Sequence, residues 1–350
     1  MSEPRTTPLP GELERLLVIA PTWLGDTVMA TPVLRAIRHH RPETQIIVAT
    51  RRGLGAVLAG APFVDELIEL DMQGLLGPLR AAGAIRGKRP RAILLLPNSF
   101  RSALTARLSG TPIRIGYRRD GRGMLLTHGL RPERADRPTP APVYYARLGA
   151  FALGGGSIDT RMELFVSDEE SAAGEALLAD VDGPFVLFVP GASKREKRWP
   201  AERFARVADA LRASRGLRCL ITGTPAERDV IDAVSAAAAG PVIDLSRRGV
   251  TLGSLKAVIR RAKLMITNDT GPRHIAAAFG TPTVSLFGPT DPRWTALPQA
   301  HERVVLAEPF LPEELIADRF AKLCAIDRIV VSDVLAAAEA LLDASASSGR

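Results

Sequence analysis

The sequence is poor in cysteine and in aromatic residues. Of its 350 residues, two are cysteines and 5% are aromatic. A disulfide-rich secreted fold is therefore not expected, and the core is predicted to be mainly aliphatic. Cys219 and Cys324 both lie in apolar segments, which predicts free packing residues in a reducing compartment. No apolar run reaches the ~20 residues of a membrane span, and MSEPRTTPLPGELER lacks the features of a leader peptide. We expect a cytoplasmic protein.

Several ligand-binding signatures are also missing. The chain contains no G-x-x-x-x-G-K-[ST] loop and no G-x-S-x-G elbow. The first strand is not followed by G-x-G-x-x-G, which argues against a dinucleotide bound in the usual way. Histidine and cysteine are not clustered at metal-ligand spacing, and the one D-x-D, Asp180 and Asp182, precedes Gly-Pro, where turn chemistry explains it. The sequence therefore predicts no metal and no resident cofactor.

Positive charge is present in excess and is concentrated in one segment. The formal net charge is +8, and residues 101–137 hold nine arginines against three acids, a local excess of +6. Such an excess favours an anionic partner such as a nucleotide, a phosphorylated lipid or a nucleic acid. Tyr117 is the one aromatic residue among these arginines, which leaves few stacking partners for bases and argues against nucleic acid. A solvated basic face remains the alternative.

Length and hydrophobic pattern predict two α/β domains. Short apolar runs alternate with amphipathic stretches of helical length, as in parallel sheets with crossover helices. The predicted strands are 15–21, 44–50, 91–97, 184–190, 217–223, 241–245, 263–268 and 282–288, and the predicted helices lie around 26–39, 201–214, 226–239, 252–262, 271–279 and 333–342. The junction is expected between Gly154 and Gly183, giving domains 1–170 and 171–350. Ligands of such folds gather at the carboxyl ends of strands.

The stretch ITNDTGPRHIAAAFG, beginning at residue 266, ends a strand and starts a helix. Asp269, Thr270 and Gly271 form the turn, and His274 follows about one turn later. Unpaired amides and the partial positive charge of a helix N-terminus favour a phosphate there. The alternative is that Asp269 or Thr270 only caps the helix.

Two further strand ends in the second half carry polar side chains. The loop VPGASKREKRWP holds Lys194 and Lys197, which can neutralise a diphosphate, and Trp199 predicts a fixed rather than a floppy loop. The turn ITGTPAERD holds Glu227, which can accept hydrogen bonds from ribose hydroxyls. Alternatively, the basic loop is a solvated surface and Glu227 is a first-turn acid of the next helix.

In the first half, IAPTWLGDTVMATPVLRAI places Asp26 directly after a glycine at the end of the first strand. Apolar residues continue at helical spacing, so the carboxylate is expected at a helix start. Pro32 marks either a kink or the true first turn of that helix. A capping role for Asp26 is the alternative to a catalytic one.

Taken together, three segments resemble the heptosyltransferases of glycosyltransferase family 9. They are WLGDTVMATPVLRAI, KRWPAERFARVADAL and NDTGPRHIAAAFGTPTVSLFGPTDPRW, which occur in the family's order. RIGYRRDGRGMLLTHGL and VYYARLGAF are similar to the heptosyltransferase II branch, so the likeness covers roughly residues 15 to 300. The resemblance implies a GT-B fold, with two Rossmann-like domains facing a central cleft, the acceptor on the N-terminal domain and the donor on the C-terminal one.

The resemblance also implies an activity and its partners. Heptose would pass from ADP-heptose, with inversion, to the inner core of lipopolysaccharide. The enzyme would be a cytoplasmic monomer in peripheral contact with the inner face of the inner membrane. A non-catalytic GT-B protein, or one that binds a different nucleotide sugar, is the alternative.

The family's site roles map onto individual positions. Asp26 matches the general base, Lys197 the residue that contacts the donor phosphates, and Glu227 the acid near the ribose. The Asp-Thr-Gly turn falls on 269–271, around the diphosphate, with His274 close by. The basic loop is shorter and more basic than the family's usual version, so Lys194 can share or replace the role of Lys197.

Overall fold

The computed structural model of the chain describes residues 8–132, 139–297, 300–308 and 324–348. The chain divides into two compact units, Met1–Phe165 (unit 1) and Val166–Arg350 (unit 2). Each unit is an α/β domain built on one six-stranded parallel sheet. The α/β class predicted from the sequence is therefore confirmed.

Unit 1 begins with the strand at the middle of its sheet. Its strands are Arg15–Ile19 (β1), Gln45–Arg51 (β2), Glu66–Leu70 (β3), Ala92–Leu95 (β4), Ile113–Tyr117 (β5) and His128–Leu130 (β6), and its helices are Leu24–Met29 (α1), Thr31–His40 (α2), Gly77–Lys88 (α3), Phe100–Leu108 (α4) and Ala141–Ala152 (α5). The strands lie in the order β3-β2-β1-β4-β5-β6. The order of strands thus reverses between β1 and β4, which is where ligands of open α/β sheets bind.

Unit 2 repeats this arrangement. Its strands are Phe185–Val189 (β7), Arg218–Ile221 (β8), Val242–Asp244 (β9), Leu264–Asn268 (β10), Thr283–Phe287 (β11) and Glu302–Leu306 (β12), and its helices are Asp168–Leu177 (α6), Ala201–Arg215 (α7), Arg228–Ala237 (α8), Leu252–Arg261 (α9), Gly271–Phe279 (α10) and Val331–Ser348 (α11). The order β12-β11-β10-β7-β8-β9 again reverses beside the first strand, here between β7 and β10. Both units therefore share one topology.

The central strands form the core of each unit. Every residue of β4, β7, β10 and β11 is buried, because helices cover both faces of a parallel sheet. Cys219 and Cys324 are buried free thiols, as the sequence predicts, and burial raises the pKa of the Cys219 thiol. No helix among the described residues is long and apolar enough to cross a membrane.

One predicted boundary differs from the structure. The single helix expected at 26–39 is two helices that meet at Ala30, and Pro32 lies in the first turn of α2, where a missing N–H costs nothing. The two compact units divide between Phe165 and Val166, inside the stretch 154–183 where the junction is expected, and helix α6 in that stretch belongs to unit 2. A Ser167 capping box starts α6, and Glu170 forms an ion pair of 2.8 Å with the buried Lys256 of α9.

Candidate functional site

The carboxyl edge of the unit 1 sheet holds Asp26 in the first turn of α1, immediately after β1. Its carboxylate Oδ1 accepts a hydrogen bond of 2.9 Å from the hydroxyl of Tyr145 on α5. Burial, followed by the charge of Asp26 and this bond, raises the pKa of Tyr145 far above its ordinary value. The phenol therefore stays protonated and donates to the carboxylate at every working pH.

The neighbouring tyrosine, Tyr144, fixes a second polar side chain at the same edge. Its hydroxyl donates to Asn98 Oδ1 at 3.2 Å, and its ring stacks on Tyr117 with centroids 4.1 Å apart. Asn98 follows β4, the sheet neighbour of β1. Two consecutive residues of α5 thus hold the two side chains that flank the point where the strand order of unit 1 reverses.

Arg122 is a fully buried arginine that supports this edge. Its guanidinium donates to the backbone carbonyls of Tyr117, at 2.9 Å, and of Pro97, and to Asn98 Oδ1 at 3.4 Å. Burial lowers its pKa from the ordinary value of an arginine. The position of Arg122 shows that it stabilises the loop after β4 from within.

The arginines of 101–137 therefore do not act as one surface. Arg114 is half-buried and donates to the carbonyls of Thr111 and Leu125, at 2.6 and 2.8 Å. The charges of Arg114 and Arg122 are thus used inside unit 1, so these two arginines do not belong to a solvated basic face. Arg134 and Arg137 lie outside the described residues.

The remaining predicted residues, except Lys194, lie together at the carboxyl edge of the unit 2 sheet. Lys194 lies in the loop after β7, and its side chain is exposed. The loop after β7 runs along the end of β10, where the buried Asn268 holds it: Asn268 Nδ2 donates to the Pro190 carbonyl at 2.7 Å, and its Oδ1 accepts from the Trp199 amide at 3.3 Å. Trp199 is itself buried and donates Nε1 to the Ile329 carbonyl at 2.9 Å. This loop is fixed at its end, as Trp199 predicted.

Lys197 in this loop pairs with Asp269 of the turn after β10. Their Nζ and Oδ2 atoms are 3.2 Å apart, and the side chains are 20% and 14% exposed. Thr290 also donates to Asp269 Oδ2, at 3.1 Å. Lys194, in contrast, has no ion-pair partner among the residues that the structure describes. Asp269 therefore orients Lys197, and Lys194 is not oriented in this way.

The helix after the turn, α10, has an uncapped start. Thr270 is its N-cap residue, yet its side chain makes no capping bond; the hydroxyl instead lies 3.1 Å from that of Thr267. In the described part of the chain, no group accepts a hydrogen bond from the backbone N–H of Gly271. The capping interpretation of Asp269 and Thr270 is therefore wrong, and the helix N-terminus keeps its affinity for an anion.

His274 lies one turn into α10 and is buried. Burial, and next the charge of Arg273, lower its pKa to about 4, so the ring is neutral near pH 7. Its Nδ1 lies 3.3 Å from the Thr270 carbonyl, which only accepts, so Nδ1 carries the proton. Nε2 is then an acceptor, and it has no partner among the described residues. Because this nitrogen only accepts, it can bond a ligand hydroxyl but not an ionised phosphate oxygen, which has no hydrogen to donate.

Arg273, beside His274, was not predicted as a site residue. It is buried and makes two hydrogen bonds to Glu302 of β12, at 2.6 and 2.8 Å. Its guanidinium also lies 4.9 Å from the ring centroid of Phe287. Because Glu302 neutralises it, Arg273 anchors α10 to the edge of the sheet and leaves anion binding to the helix start.

Glu227 lies next to the loop that follows β7. Its Oε2 accepts from both the amide and the hydroxyl of Thr224, each at 2.8 Å, which is the first-turn role that the alternative interpretation predicted. The same carboxylate packs on Gly191, where a Cβ would lie 2.1 Å from Glu227 Oε1. A glycine at 191 therefore makes room for Glu227 beside the basic loop.

Comparison with known proteins gives a consistent result. The model of the family described as glycosyltransferase family 9 (heptosyltransferase) matches residues 79–323. Lipopolysaccharide heptosyltransferase 2 of Escherichia coli strain K12 is 30% identical over 310 residues, which cover 83% of this chain and 87% of that protein. The Salmonella typhimurium protein of the same name is 29% identical, with the same coverage.

Solved structures agree with these relatives. A glycosyl transferase family 9 protein from Veillonella parvula superposes with a TM-score of 0.81 at 25% identity, covering 94% of this chain and 97% of that one. The structure of E. coli ADP-heptose lps heptosyltransferase II gives 0.78 at 26% identity, covering 95% and 99%. The predicted GT-B class is therefore confirmed.

Proposed function

This chain belongs to glycosyltransferase family 9, as its sequence predicted, and we propose that it transfers heptose from ADP-heptose to the inner core of lipopolysaccharide. The names of its relatives support this activity, since they include lipopolysaccharide heptosyltransferase 2 proteins and an ADP-heptose lps heptosyltransferase II. The sequence-based prediction of a heptose-transferring enzyme agrees with them.

The donor belongs to unit 2 in this proposal, within the predicted domain 171–350. The observation that carries this assignment is the uncapped start of α10 beside the Lys197–Asp269 pair. The amides at Thr270 and Gly271 and the ammonium of Lys197 contact the diphosphate of ADP, and Glu227 accepts from the ribose hydroxyls. The neutral Nε2 of His274 accepts a hydrogen bond from a hydroxyl of the heptose.

The acceptor belongs to the predicted N-terminal domain, 1–170, and Asp26 is the general base. An acceptor hydroxyl attacks the anomeric carbon of the heptose with inversion, while the bond from that carbon to the diphosphate oxygen breaks and its electron pair leaves with ADP. Asp26 takes the proton of the attacking hydroxyl. Lys197 and the helix start stabilise the negative charge that grows on the departing diphosphate.

The cellular setting follows from the acceptor. The enzyme acts in the cytoplasm as a monomer, in peripheral contact with the inner face of the membrane that carries the acceptor. Anionic groups of the inner core meet arginines that remain at the surface of unit 1.

One substitution separates transfer from nucleotide binding. In Asp26→Asn, we expect ADP binding by titration calorimetry to stay within about twofold, and heptose transfer, followed by mass spectrometry of a truncated lipopolysaccharide acceptor, to fall at least ~100-fold. Titration with UDP and GDP tests the donor class independently. Full turnover by the variant would eliminate Asp26 as the base, and equal affinity for all three nucleotides would contradict the ADP-sugar donor.

A further inference from the structure

Exposed apolar side chains are concentrated at one edge of unit 1. Among the described residues, the large hydrophobic side chains that are exposed in unit 1 are Trp23, Leu75, Leu76, Leu79, Phe100 and Met124. All six lie in loops or first turns that follow the ends of β1, β3, β4 and β5. Leu75 is 96% exposed and Met124 is 84% exposed. Side chains of this size that cluster, rather than being scattered singly, indicate an interaction surface.

Five of these residues belong to connected segments, and we name Leu75, Leu76, Leu79, Phe100 and Met124 the apolar rim. Arg101, next to Phe100, donates Nη1 to the carbonyls of Met72 and Gly74 at 2.6 and 2.8 Å. This arginine ties the loop of Leu75 and Leu76 to the start of α4. Helix α4 also packs on α3, which carries Leu79, and on the turn Arg122–Leu125, which carries Met124.

Positive charge lies at the same edge of the sheet. The exposed arginines at the ends of β2, β5 and β6 are Arg51, Arg52, Arg118, Arg119 and Arg131. None of the five forms an ion pair within the described ranges. The acids at this edge are Asp26, Glu69, whose Oε1 accepts from the Gly53 amide at 2.8 Å, Asp71, which pairs with Arg80 at 3.6 Å, and Asp120. With Arg80 neutralising Asp71, the five arginines outnumber the other three acids. The charge around the apolar rim is therefore positive on balance.

We propose that the apolar rim and its arginines dock unit 1 on an anionic lipid bilayer. Leucine, phenylalanine and methionine side chains enter the boundary between headgroups and acyl chains, and guanidinium groups bind the lipid phosphates. An interface that binds by electrostatics alone would not require the five apolar side chains, and a purely apolar protein contact would not require the unpaired arginines. The inference deepens the proposed function, because it identifies the residues through which an enzyme with a lipid-borne acceptor contacts the membrane.

Vesicle sedimentation tests the docking without any reaction. The full chain is mixed with vesicles of phosphatidylcholine alone, or with phosphatidylglycerol added. We expect binding only to the anionic vesicles, weakening as salt is raised. The double substitution Leu75→Ser with Leu76→Ser should reduce the partition constant about tenfold, because two exposed leucines lose their place in the acyl boundary. The matched control, Val304→Ser with Val330→Ser, changes two exposed apolar residues of unit 2 and should bind as wild type does.

Turnover separates this inference from the proposed function. With a deacylated, water-soluble core acceptor, the leucine variant should keep the wild-type rate, because such an acceptor is reached without membrane binding. Absence of transfer in every variant, with leucine-dependent vesicle binding, would remove the proposed function and leave the docking intact. Equal vesicle binding by the leucine variant and wild type, or a leucine-dependent dimer in size-exclusion chromatography without lipid, would overturn the docking.

Discussion

Tyr145 donates its phenolic hydrogen to the carboxylate of Asp26 across 2.9 Å, although the two residues are 119 positions apart in the chain. The adjacent residue, Tyr144, donates to Asn98 instead. In the proposed mechanism, the first bond holds the base in one orientation and favours its ionised form. The hydrogen bond from Tyr144 to Asn98 does not involve Asp26.

This pair of tyrosines provides a matched experiment. In Tyr145→Phe, we expect kcat to fall about tenfold, because the base loses its orientation. We also expect the acidic limb of the kcat/KM profile to move to higher pH, because the ionised carboxylate loses a donor. The measurement is the rate of heptose transfer between pH 5 and 9.

Tyr144→Phe is the control for that prediction. It removes the hydroxyl of a half-buried tyrosine of the same helix but leaves the hydrogen bond from Tyr145 to Asp26 in place. The position of the acidic limb should therefore not change. If the two variants shift the limb equally, the effect is one of general packing, and Tyr145 has no specific role in positioning the base.

The two lysines of the loop after β7 should contribute unequally to nucleotide binding. Lys197 is held by Asp269 at 3.2 Å, whereas Lys194 is exposed and would lose more side-chain freedom on contacting a phosphate. We expect Lys197→Ala to weaken ADP binding at least about tenfold and Lys194→Ala less than about threefold. Titration calorimetry measures both, with the exposed Arg195→Ala as control. The opposite ranking would assign the phosphate contact to Lys194.

Gly191→Ala tests the placement of Glu227. The added Cβ would lie 2.1 Å from the carboxylate, and the flexible end of the glutamate can move away at little cost in folding free energy. We expect ADP affinity to fall about as far as in Glu227→Gln, with a melting temperature close to that of wild type. Affinity equal to that of wild type, despite a crystallographically displaced carboxylate, would show that Glu227 does not contact the ribose.

His274 should make unit 2 less stable in acid. Its pKa is about 4 in the folded protein and near 6.5 in an unfolded chain, so between these values the unfolded chain binds the extra proton. The free energy of unfolding should therefore drop as the pH falls from 7 to 4, by at most about 3 kcal/mol from this residue, and its contribution should level off below pH 4.

Urea unfolding, followed by the fluorescence of the buried Trp199, measures this slope. His274→Gln should flatten it relative to wild type, and the exposed His301→Gln should leave it unchanged. A His274→Gln variant as acid-sensitive as wild type would show that the histidine is protonated in the folded state.

The sequence predicted the central strands better than the outer ones. All eight predicted strands exist. Seven of them consist mainly of buried residues, which form continuous apolar runs, and the eighth is the half-buried edge strand β9. The strands that were not predicted are β3, β5, β6 and β12. Three of these are edge strands with charged or short sequences: β3 reads ELIEL, β12 reads ERVVL and β6 has three residues. Half-exposed strands do not need a continuous apolar pattern, so that signal was absent.

The candidate site divides in the same way. Asp26, Lys197, Glu227 and the turn at 269–271 all follow strands, and the rule that ligands bind at carboxyl ends is enough to predict them as candidates. Tyr145 and Arg273 act through partners that are distant in sequence, and no local pattern signals such a contact. The polar Asn98 after β4 did carry the strand-end signal and was overlooked.

The number of arginines in a segment does not show how many of them face solvent. Nine arginines in 101–137 looked alike in the sequence, yet Arg122 is fully buried and Arg114 half-buried. Whether an arginine faces solvent depends on backbone carbonyls brought close by the fold, as with the Tyr117 and Pro97 carbonyls at Arg122. Composition therefore overestimated the charge available to an anionic partner.

The strand order has a consequence for how the polypeptide is made. The first strand of each sheet is an inner strand, and later strands extend the sheet on both sides. Strands β1 to β6 all precede residue 131, whereas β7 starts at Phe185. During translation, the amino-terminal half has every strand it needs before the ribosome has released the first strand of the carboxyl-terminal half. The nascent chain can therefore complete one hydrophobic core at a time, which limits mispairing between twelve strands of similar character.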